Sequence, residues 1–555
     1  MRMRVFLLGI MVAATSLTAQ TGARYLIITH DNFYNAIQPL AQWKQKKGMM
    51  SRVVRTSETG TASLQIQSYI RNAYNTWNPR PEFVLLVGGG AYLQAFQMGM
   101  GHERIATDNP YGNMAGDYRA ELPYGRFPCN SVRQCSVMVA KTLAYERTPD
   151  LADTLWYRRG TTIVNDSADD DGYTYWQDAR STAQLAAAAG YSAIDSLASL
   201  RHHNAWNVTQ SVNSGTSFVL YRGVGVDYWR TPFDVRPYFS QMINGDRLPI
   251  ICSFTCQTIS LDQYNDSMTG NTWVKLGTPQ ALNGAVACIG NVHSASNVAG
   301  KRSAMTRGYF SGVFSESLQY LGAAMLRGKL QIYNEYHDSL EYHGFNLLGD
   351  PELNIWTTTP RPMVATYAAE IPFGPQNFPV TVTRQGNPLP NALVCISSGS
   401  GIYQYGYTDA GGQKSFSINP GVEEMMDVTV TARNCVPHEG QVWIYNPSAV
   451  AEPRPLGEQA HRLLSISPNP GSGVFTISCR RAALIDIRDV TGRTVARFRI
   501  PGPESPDRGH DPDPKRIRSC PLLVWDARNV PAGVYLVRAE SAHGETEVRT
   551  LGVLK

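Results

Sequence analysis

Residues 216–225, TSFVLYRGVG, and residues 249–256, PIICSFTC, decide how this chain folds. Each is a short apolar run of the kind that forms a strand buried on both faces of a parallel sheet. The first runs into Gly223-Val224-Gly225, and the second ends at Cys256. Neighbouring parallel strands present side chains at their C-terminal ends, where open α/β sheets place their clefts. A cysteine peptidase can be assembled from such a pair, with a thiol at one strand end and a base at the next. In this sequence the thiol is present at Cys256, and the turn after the neighbouring strand holds valine between two glycines.

Working outward, residues 23–130 alternate strand and helix. ARYLIITH, SRVVRT and FVLLVGG read as strands, and FYNAIQPLAQWKQKK and SLQIQSYIRNAYNTW as amphipathic helices between them. Residues 131–357 repeat the theme. A helix is expected over 131–146, a strand at TTIVND, a helix over 177–189, then the two strands quoted above, then GAVACIGNV, with further helices near 306–320 and 323–336. Alternation of this sort predicts an α/β fold of two consecutive sub-units, each with a parallel sheet covered on both faces.

The pattern changes near Pro360. From 361 to 446 no helical period is found; FPVTVTRQG, ALVCISSG, KSFSI and MMDVTVTARN are alternating strands between Gly, Asn and Pro turns, which predicts an Ig-like β-sandwich. Residues 447–461 have the composition of a linker. A second small β-sandwich is expected over 462–555, interrupted by a Pro-, Asp- and Arg-rich insert at 501–519.

The chain has 555 residues, 43% of them hydrophobic and 17% charged, ample for several cores and unlike a disordered chain. A net charge of +5 is mild, and no basic stripe is interleaved with aromatics, so nothing points to a nucleic-acid partner. Arg2 and Arg4 precede the apolar run from Val5 to Ala14, and small residues follow up to Ala19-Gln20. That is the pattern of a secretory signal peptide over 1–19. The run is too short to span a bilayer, and no later apolar stretch reaches the ~20 residues a span needs. The nine cysteines would then meet an oxidising compartment. Cys395 with Cys435 and Cys479 with Cys520 could pair within their domains, whereas Cys252 and Cys288 read as buried inert thiols.

The stretches TTIVND, SFVLYRGVG, LPIICSFTCQT, NGAVACIGNVHSAS and FNLLGDPELNIW resemble, in order and spacing, the gingipain family of caspase-like cysteine peptidases. The resemblance covers nearly all of 23–357. It implies a non-catalytic caspase-like sub-unit over 23–130, a catalytic-type sub-unit over 131–357, and a β-sandwich directly after it. It also implies that Cys256 stands at the nucleophile position, that Val224 replaces the histidine of a Gly-His-Gly that supplies the base, and that Asp166 falls, by a loose match, near an acidic third member. The last residues, with SPNPGSGVFTI, IDIRDVTGRTV, NVPAGVYLV and the closing Lys555, resemble the C-terminal sorting domain of type IX secretion. That resemblance implies the type IX machinery as a partner and a secreted or outer-membrane-surface location.

A free thiol is only a few per cent thiolate at neutral pH, and peptidases correct this with an imidazole that also protonates the leaving amine. Valine does neither. Two readings follow. In the first, the site is impaired or inactive and the protein acts by binding peptides or host proteins. In the alternative, it is an active cysteine endopeptidase with a non-standard base. His293, in the loop after the strand beside that of Cys256, is the candidate for that base, or else a pocket wall. His202 and His203 are expected at the opposite end of the Val224 strand and are poorer candidates. No cofactor is implied. The acidic run 166–171 could ligate a structural calcium ion, although it lacks a complete calcium-loop pattern.

Overall fold

The structure, a computed structural model, describes residues 22–262 and 267–447 and, beyond these, the strand segments lying between residues 464 and 554. The expected signal peptide over 1–19, the expected linker beyond Pro447, the insert expected at 501–519 and Lys555 lie outside the described residues. The chain forms two compact units that part after Asn446.

Ten strands build the main sheet of the first unit. In chain order they are β1 (Tyr25–Thr29), β2 (Ser51–Arg55), β3 (Phe83–Val87), β4 (Tyr124–Phe127) and β5 (Arg159–Val164). They continue with β6 (Ala193–Ala198), β7 (Phe218–Arg222), β8 (Ile250–Ser253), β9 (Ala287–Asn291) and β10 (Phe345–Leu348). The spatial order is β2-β1-β3-β4-β10-β9-β8-β7-β5-β6. The quartets β2-β1-β3-β4 and β6-β5-β7-β8 therefore repeat one topology, and all their internal pairings are parallel. The two expected sheets are in fact one. β10, which carries FNLL ahead of the GDPEL turn, pairs parallel with β4 and antiparallel with β9, so it closes the gap between the halves.

The strands alternate side chains between two faces. Val219, Tyr221, Ile251 and Cys288 face one core, shared with helices α1 (Tyr34–Lys46), α3 (Val132–Glu146), α5 (Ala205–Asn213) and α6 (Thr269–Lys275). Phe218, Leu220, Cys252 and Ile289 face the other, under α7 (Ala299–Phe314) and α8 (Leu321–Tyr336). Helices α2 (Ser63–Thr76) and α4 (Gly172–Ala188) cover the outer parts of that second face, and α9 (Ser339–Gly344) leads into β10. Cys252 and Cys288 are fully buried, and burial pushes both thiols well above the ordinary cysteine range. The reading of both as inert core thiols agrees with this environment.

The GDPEL turn also pins the two halves. Lys44 of α1 meets Glu146 of α3 at 2.8 Å, Asp350 at 2.6 Å and Glu352 at 2.5 Å, all fully buried. Lys47 bridges Glu146 and Glu352, and the Tyr25 hydroxyl donates to Asp350 at 2.7 Å. Burial alone would drive Lys44 toward neutrality; the three carboxylates outweigh it and hold the ammonium charged well above its usual range. The carboxylate cluster is the one group among the described residues with a metal-like spacing, and two lysines already fill it.

Residues 361–446 form two facing sheets. Strands Val364–Thr366, Gln376–Arg384, Asn387–Pro388 and Gln413–Ile418 make one. Strands Glu370–Pro372, Leu393–Ser398, Tyr403–Tyr407, Glu424–Thr431 and His438–Tyr445 make the other. Phe378, Val380, Val394, Ile396, Val428 and Val442 fill the space between. The sandwich packs on the α/β body: Arg147 pairs with Glu439 at 2.7 Å, and Asn434 donates to Thr357 at 2.9 Å. The Cys395–Cys435 pairing that the sequence left possible is not formed; both thiols are free and buried. Cys435 sits in the sandwich core, while Cys395 alternates with the core residues Val394 and Ile396 and so points out of it, toward Gln45 and Gly48 of the α/β body. Cys479 and Cys520 lie outside the residues whose side chains are described.

The described residues of the second unit form β-strands and turns. A three-stranded sheet contains Leu464–Ser467, Val474–Cys479 and Leu522–Asp526. A five-stranded sheet contains Gly471–Ser472, Ala482–Asp489, Thr494–Arg499, Gly533–Ser541 and Thr546–Leu554. Phe475, Ile477, Ile485, Trp525, Tyr535 and Val537 form its core.

Candidate active site

The parallel registers bring the sequence candidates to one level. Phe218 pairs with Ile250 and Tyr221 with Ser253; Ile250 pairs with Ala287 and Ser253 with Gly290; Gly160 pairs with Phe218 and Val164 with Arg222. Carried a few residues past the strand ends, these registers align Asp166, Val224, Cys256 and His293. The ladders do continue: Asn165 donates to Arg222 O at 2.9 Å, Phe254 to Tyr221 O at 3.2 Å, and Gln257 to His293 O at 3.0 Å. Four adjacent strands thus end in one row at the C-terminal edge of the sheet, where α/β clefts lie.

Local sequence fixes the turns that carry this row. Gly223 has φ +156°, and a Cβ there would stand 2.6 Å from Asn165 Cβ, so only glycine fits. The Thr255 hydroxyl donates to Gly223 O, which ties the Val224 turn to the Cys256 turn. Behind them Tyr221 stacks on Trp229 at 4.6 Å, the Trp229 indole donates to Ser253 Oγ at 2.8 Å, and Asp227 N donates to Gln257 O at 2.7 Å. Arg222, wholly buried, pairs with Asp178 at 2.6 Å and donates to Phe254 O, Ala299 O and Ser303. It clamps the last residue of β7 to the carbonyl that precedes the cysteine turn.

Cys256 is half-buried, as is Val224. Its sulfur receives Arg302 Nη1 at 2.8 Å and lies 3.6 Å from Ala295 O. Arg302 comes from the first turn of α7 and is only 4% exposed. Its Nε donates to Glu341 Oε1 at 2.8 Å, and its Nη2 reaches His293 O at 3.5 Å. Glu341 Oε2 meets His293 Nδ1 at 2.8 Å, and Asn291 Nδ2 donates to Glu341 Oε1 at 2.6 Å. Burial would raise the Glu341 carboxyl, but Arg302 and the His293 hydrogen bond outweigh it and hold it below the usual carboxylate range. An ionised carboxylate only accepts, so His293 carries its proton on Nδ1. His293 Nε2 is buried without a hydrogen-bond partner. For Arg302, burial is outweighed by Glu341 and Cys256, and the guanidinium is held charged.

The order of groups is therefore Cys256, Arg302, Glu341, His293. Of the two ring nitrogens of His293, one serves Glu341 and the other has no partner, whereas a cation serves the sulfur. Asp166 lies on the same sheet edge but turns away. It accepts from Ser199 Oγ at 2.7 Å, Leu200 N at 2.9 Å and Trp176 Nε1 at 2.8 Å. Those bonds outweigh its burial and lower its carboxyl. In the same acidic run Asp169 accepts from the Tyr175 hydroxyl at 2.8 Å and from Asp171 N at 3.1 Å, so two of the acids considered for calcium are engaged by protein donors. His202 and His203 correct the sequence reading. They follow the C-terminal end of β6, which runs parallel to β5, and so stand on the same edge as Cys256, three strands away. His203 Nδ1 accepts from Ala198 N at 3.1 Å.

Arg302 and Glu341 escaped the sequence reading. Arg302 lies in AGKRSAMTRGYF and Glu341 in DSLEYHG, ordinary helical stretches far from either quoted strand.

The model of peptidase family C25 matches residues 18–356, more than half of the chain. The chain belongs to peptidase family C25. Gingipain R2 of Porphyromonas gingivalis is 23% identical over 389 residues, covering 67% of this chain and 51% of the relative. Lys-gingipain of the same organism is 22% identical over 468 residues, covering 77% of this chain and 26% of the relative. The chain thus spans about half the length of the curated gingipain R2 it matches. Among solved structures, the Arg-specific cysteine proteinase gingipain R superposes with a TM-score of 0.68 at 20% identity, covering 78% of this chain and all of that one. The complex of Porphyromonas gingivalis RgpB pro- and mature domains gives 0.68 at 21% identity, with 76% and 100% covered. The C25 chain thus has the caspase-like α/β fold followed by β domains. No helix among its described residues is long and apolar enough to cross a membrane.

Proposed function

We propose that this C25 chain is an exported, gingipain-like peptidase domain that binds peptide or protein ligands at the cleft edge around Cys256 and is impaired in amide cleavage. The observation that carries this reading is what meets the sulfur: the Arg302 guanidinium at 2.8 Å, with valine at the level where a base would stand. Amide hydrolysis needs a proton delivered to the leaving amine. Guanidinium does not release one at any ordinary pH, and valine has none. Cys256 keeps the nucleophile position, and residues 23–130 and 131–357 act as the non-catalytic and catalytic-type sub-units. Residues 462–555 serve as the type IX sorting domain, joined by the linker 447–461 to the sandwich over 361–446, and the destination is the cell surface or the medium.

One observation favours the alternative, an active endopeptidase with His293 as base. The ring is oriented by Glu341 with its Nε2 unengaged, the arrangement of an imidazole readied to take a proton. Under that reading the ring must reach the sulfur that Arg302 occupies. The deciding assay sets the purified chain and its Cys256→Ala variant against a broad peptide-amide library. Binding of defined peptides without turnover is expected. Turnover lost in both Cys256→Ala and His293→Ala overturns the first reading in favour of the second.

A further inference from the structure

We propose that Cys256, with the Arg302 guanidinium at its sulfur, accepts acyl groups from thioesters and holds them as a long-lived acyl-enzyme. The proposal rests on the reading above, that Cys256 faces a ligand cleft without a working general base.

The geometry supplies each part. Arg302 is 4% exposed, and its three nitrogens serve three acceptors: Nε on Glu341, Nη1 on the Cys256 sulfur and Nη2 on His293 O. Such a fork is fixed in direction, and its charge is present at every pH the protein meets. A buried cation 2.8 Å from sulfur stabilises negative charge there, one half of what a peptidase imidazolium does. It leaves the other half undone, because it cannot pass a proton to a leaving group. Substrates then divide by leaving group. An amine departs only with a proton. A thiolate departs without one, the more readily the lower its pKa. Cys256 is half-buried at the C-terminal edge of the sheet, where α/β clefts lie.

The step balances without any further reagent. The Cys256 thiol gives its proton to solvent, and the sulfur attacks the thioester carbonyl. A new C–S bond forms and the old one breaks, the departing sulfur keeping the electron pair and later taking a proton from solvent. Nothing is oxidised or reduced. The second half of a peptidase cycle, attack of water on the acyl-sulfur bond, needs a base. Val224 offers none, and His293 is held by Glu341 while Arg302, not the ring, meets the sulfur. The acyl group therefore stays.

The test uses the full chain with a benzyl thioester of a blocked tripeptide, and the aminocoumarin amide of the same tripeptide beside it. Intact and peptide mass spectrometry should find one acyl group, on Cys256, persisting for hours. Acylation should run about tenfold or more faster than that of a free cysteine peptide at neutral pH. Arg302→Met should remove the advantage and Arg302→Lys keep part of it. Should Arg302→Met fail to fold beside Glu341, the unmodified chain still decides. A guanidinium at the sulfur makes Cys256 favour anionic iodoacetate over neutral iodoacetamide more than a free cysteine peptide does. An equal preference, or a Cys256 that acylates no faster than the free peptide while tripeptide binding persists, overturns the proposal. Release of aminocoumarin by the unmodified chain overturns the reading on which it rests.

Discussion

Arg302 Nη1 sits 2.8 Å from the sulfur of Cys256, and the other side of the same guanidinium is held 2.8 Å from Glu341. A peptidase of this architecture needs a titratable group at the sulfur. This C25 chain has a permanent cation there, anchored by a carboxylate that also holds His293.

Restoring the base is the most direct probe. Val224 follows Gly223 on the strand next to that of Cys256, at the same register level and half-exposed. Val224→His should yield cleavage of a fluorogenic peptide amide about a hundredfold above the Val224→His/Cys256→Ala background. A variant that folds yet gives neither cleavage nor faster alkylation of Cys256 means that the two positions do not face each other.

Glu341 should be the most costly single truncation at the site. Glu341→Ala strands the buried Arg302 charge and frees His293, a loss of about 3–5 kcal/mol. Urea unfolding of both proteins measures it. The folded Glu341 carboxyl lies below its unfolded value, so its contribution is complete above about pH 4.3 and is lost as pH falls through the lower folded value. Glu341→Gln should therefore flatten the acid limb of the stability curve.

His343, two residues on, predicts a second acid effect. It is 5% exposed with Nδ1 unpaired, and burial followed by the Lys329 charge lowers it from 6.5 to about 4. The unfolded chain takes up the proton first. Stability is full above about pH 6.5 and falls by about 3 kcal/mol as pH drops toward 4. Thermal melts across that window should show a shallower fall in His343→Gln; an unchanged profile would place the titration elsewhere.

Lys44 is the keystone of the buried carboxylates. Lys44→Met leaves Glu146, Asp350 and Glu352 with Lys47 alone, and should cost about 3–5 kcal/mol in chemical unfolding. Since lysines occupy the cluster, Glu352→Gln should leave the response of the melting temperature to calcium and EDTA the same as in the unmodified chain.

Export can be tested apart from chemistry. The chain divides after Asn446, so deletion of 462–555 should leave the first unit folded. If the sorting reading holds, fractionation of the producing cell finds that truncated protein in the periplasm rather than at the surface.

The sequence by itself determined the alternation of apolar strands and amphipathic helices, the change to β structure near Pro360, and the placement of Cys256 and Val224 at adjacent strand ends. These follow from local rules: a buried parallel strand must be apolar throughout, and a turn such as Gly223 must be glycine. Only the tertiary structure decided that the two half-sheets are one, because β10 crosses from the end of the domain to lie between β4 and β9. It also decided that Cys395 and Cys435 face opposite sides of a strand layer, and that His202 and His203 share the edge with Cys256. Above all it brought Arg302 to the sulfur. Forty-six residues separate them in the chain, and Glu341 lies 39 further on. No periodicity or motif records such a contact, because the burial that makes a charge seek its partner exists only once α7 and α9 have packed on the sheet.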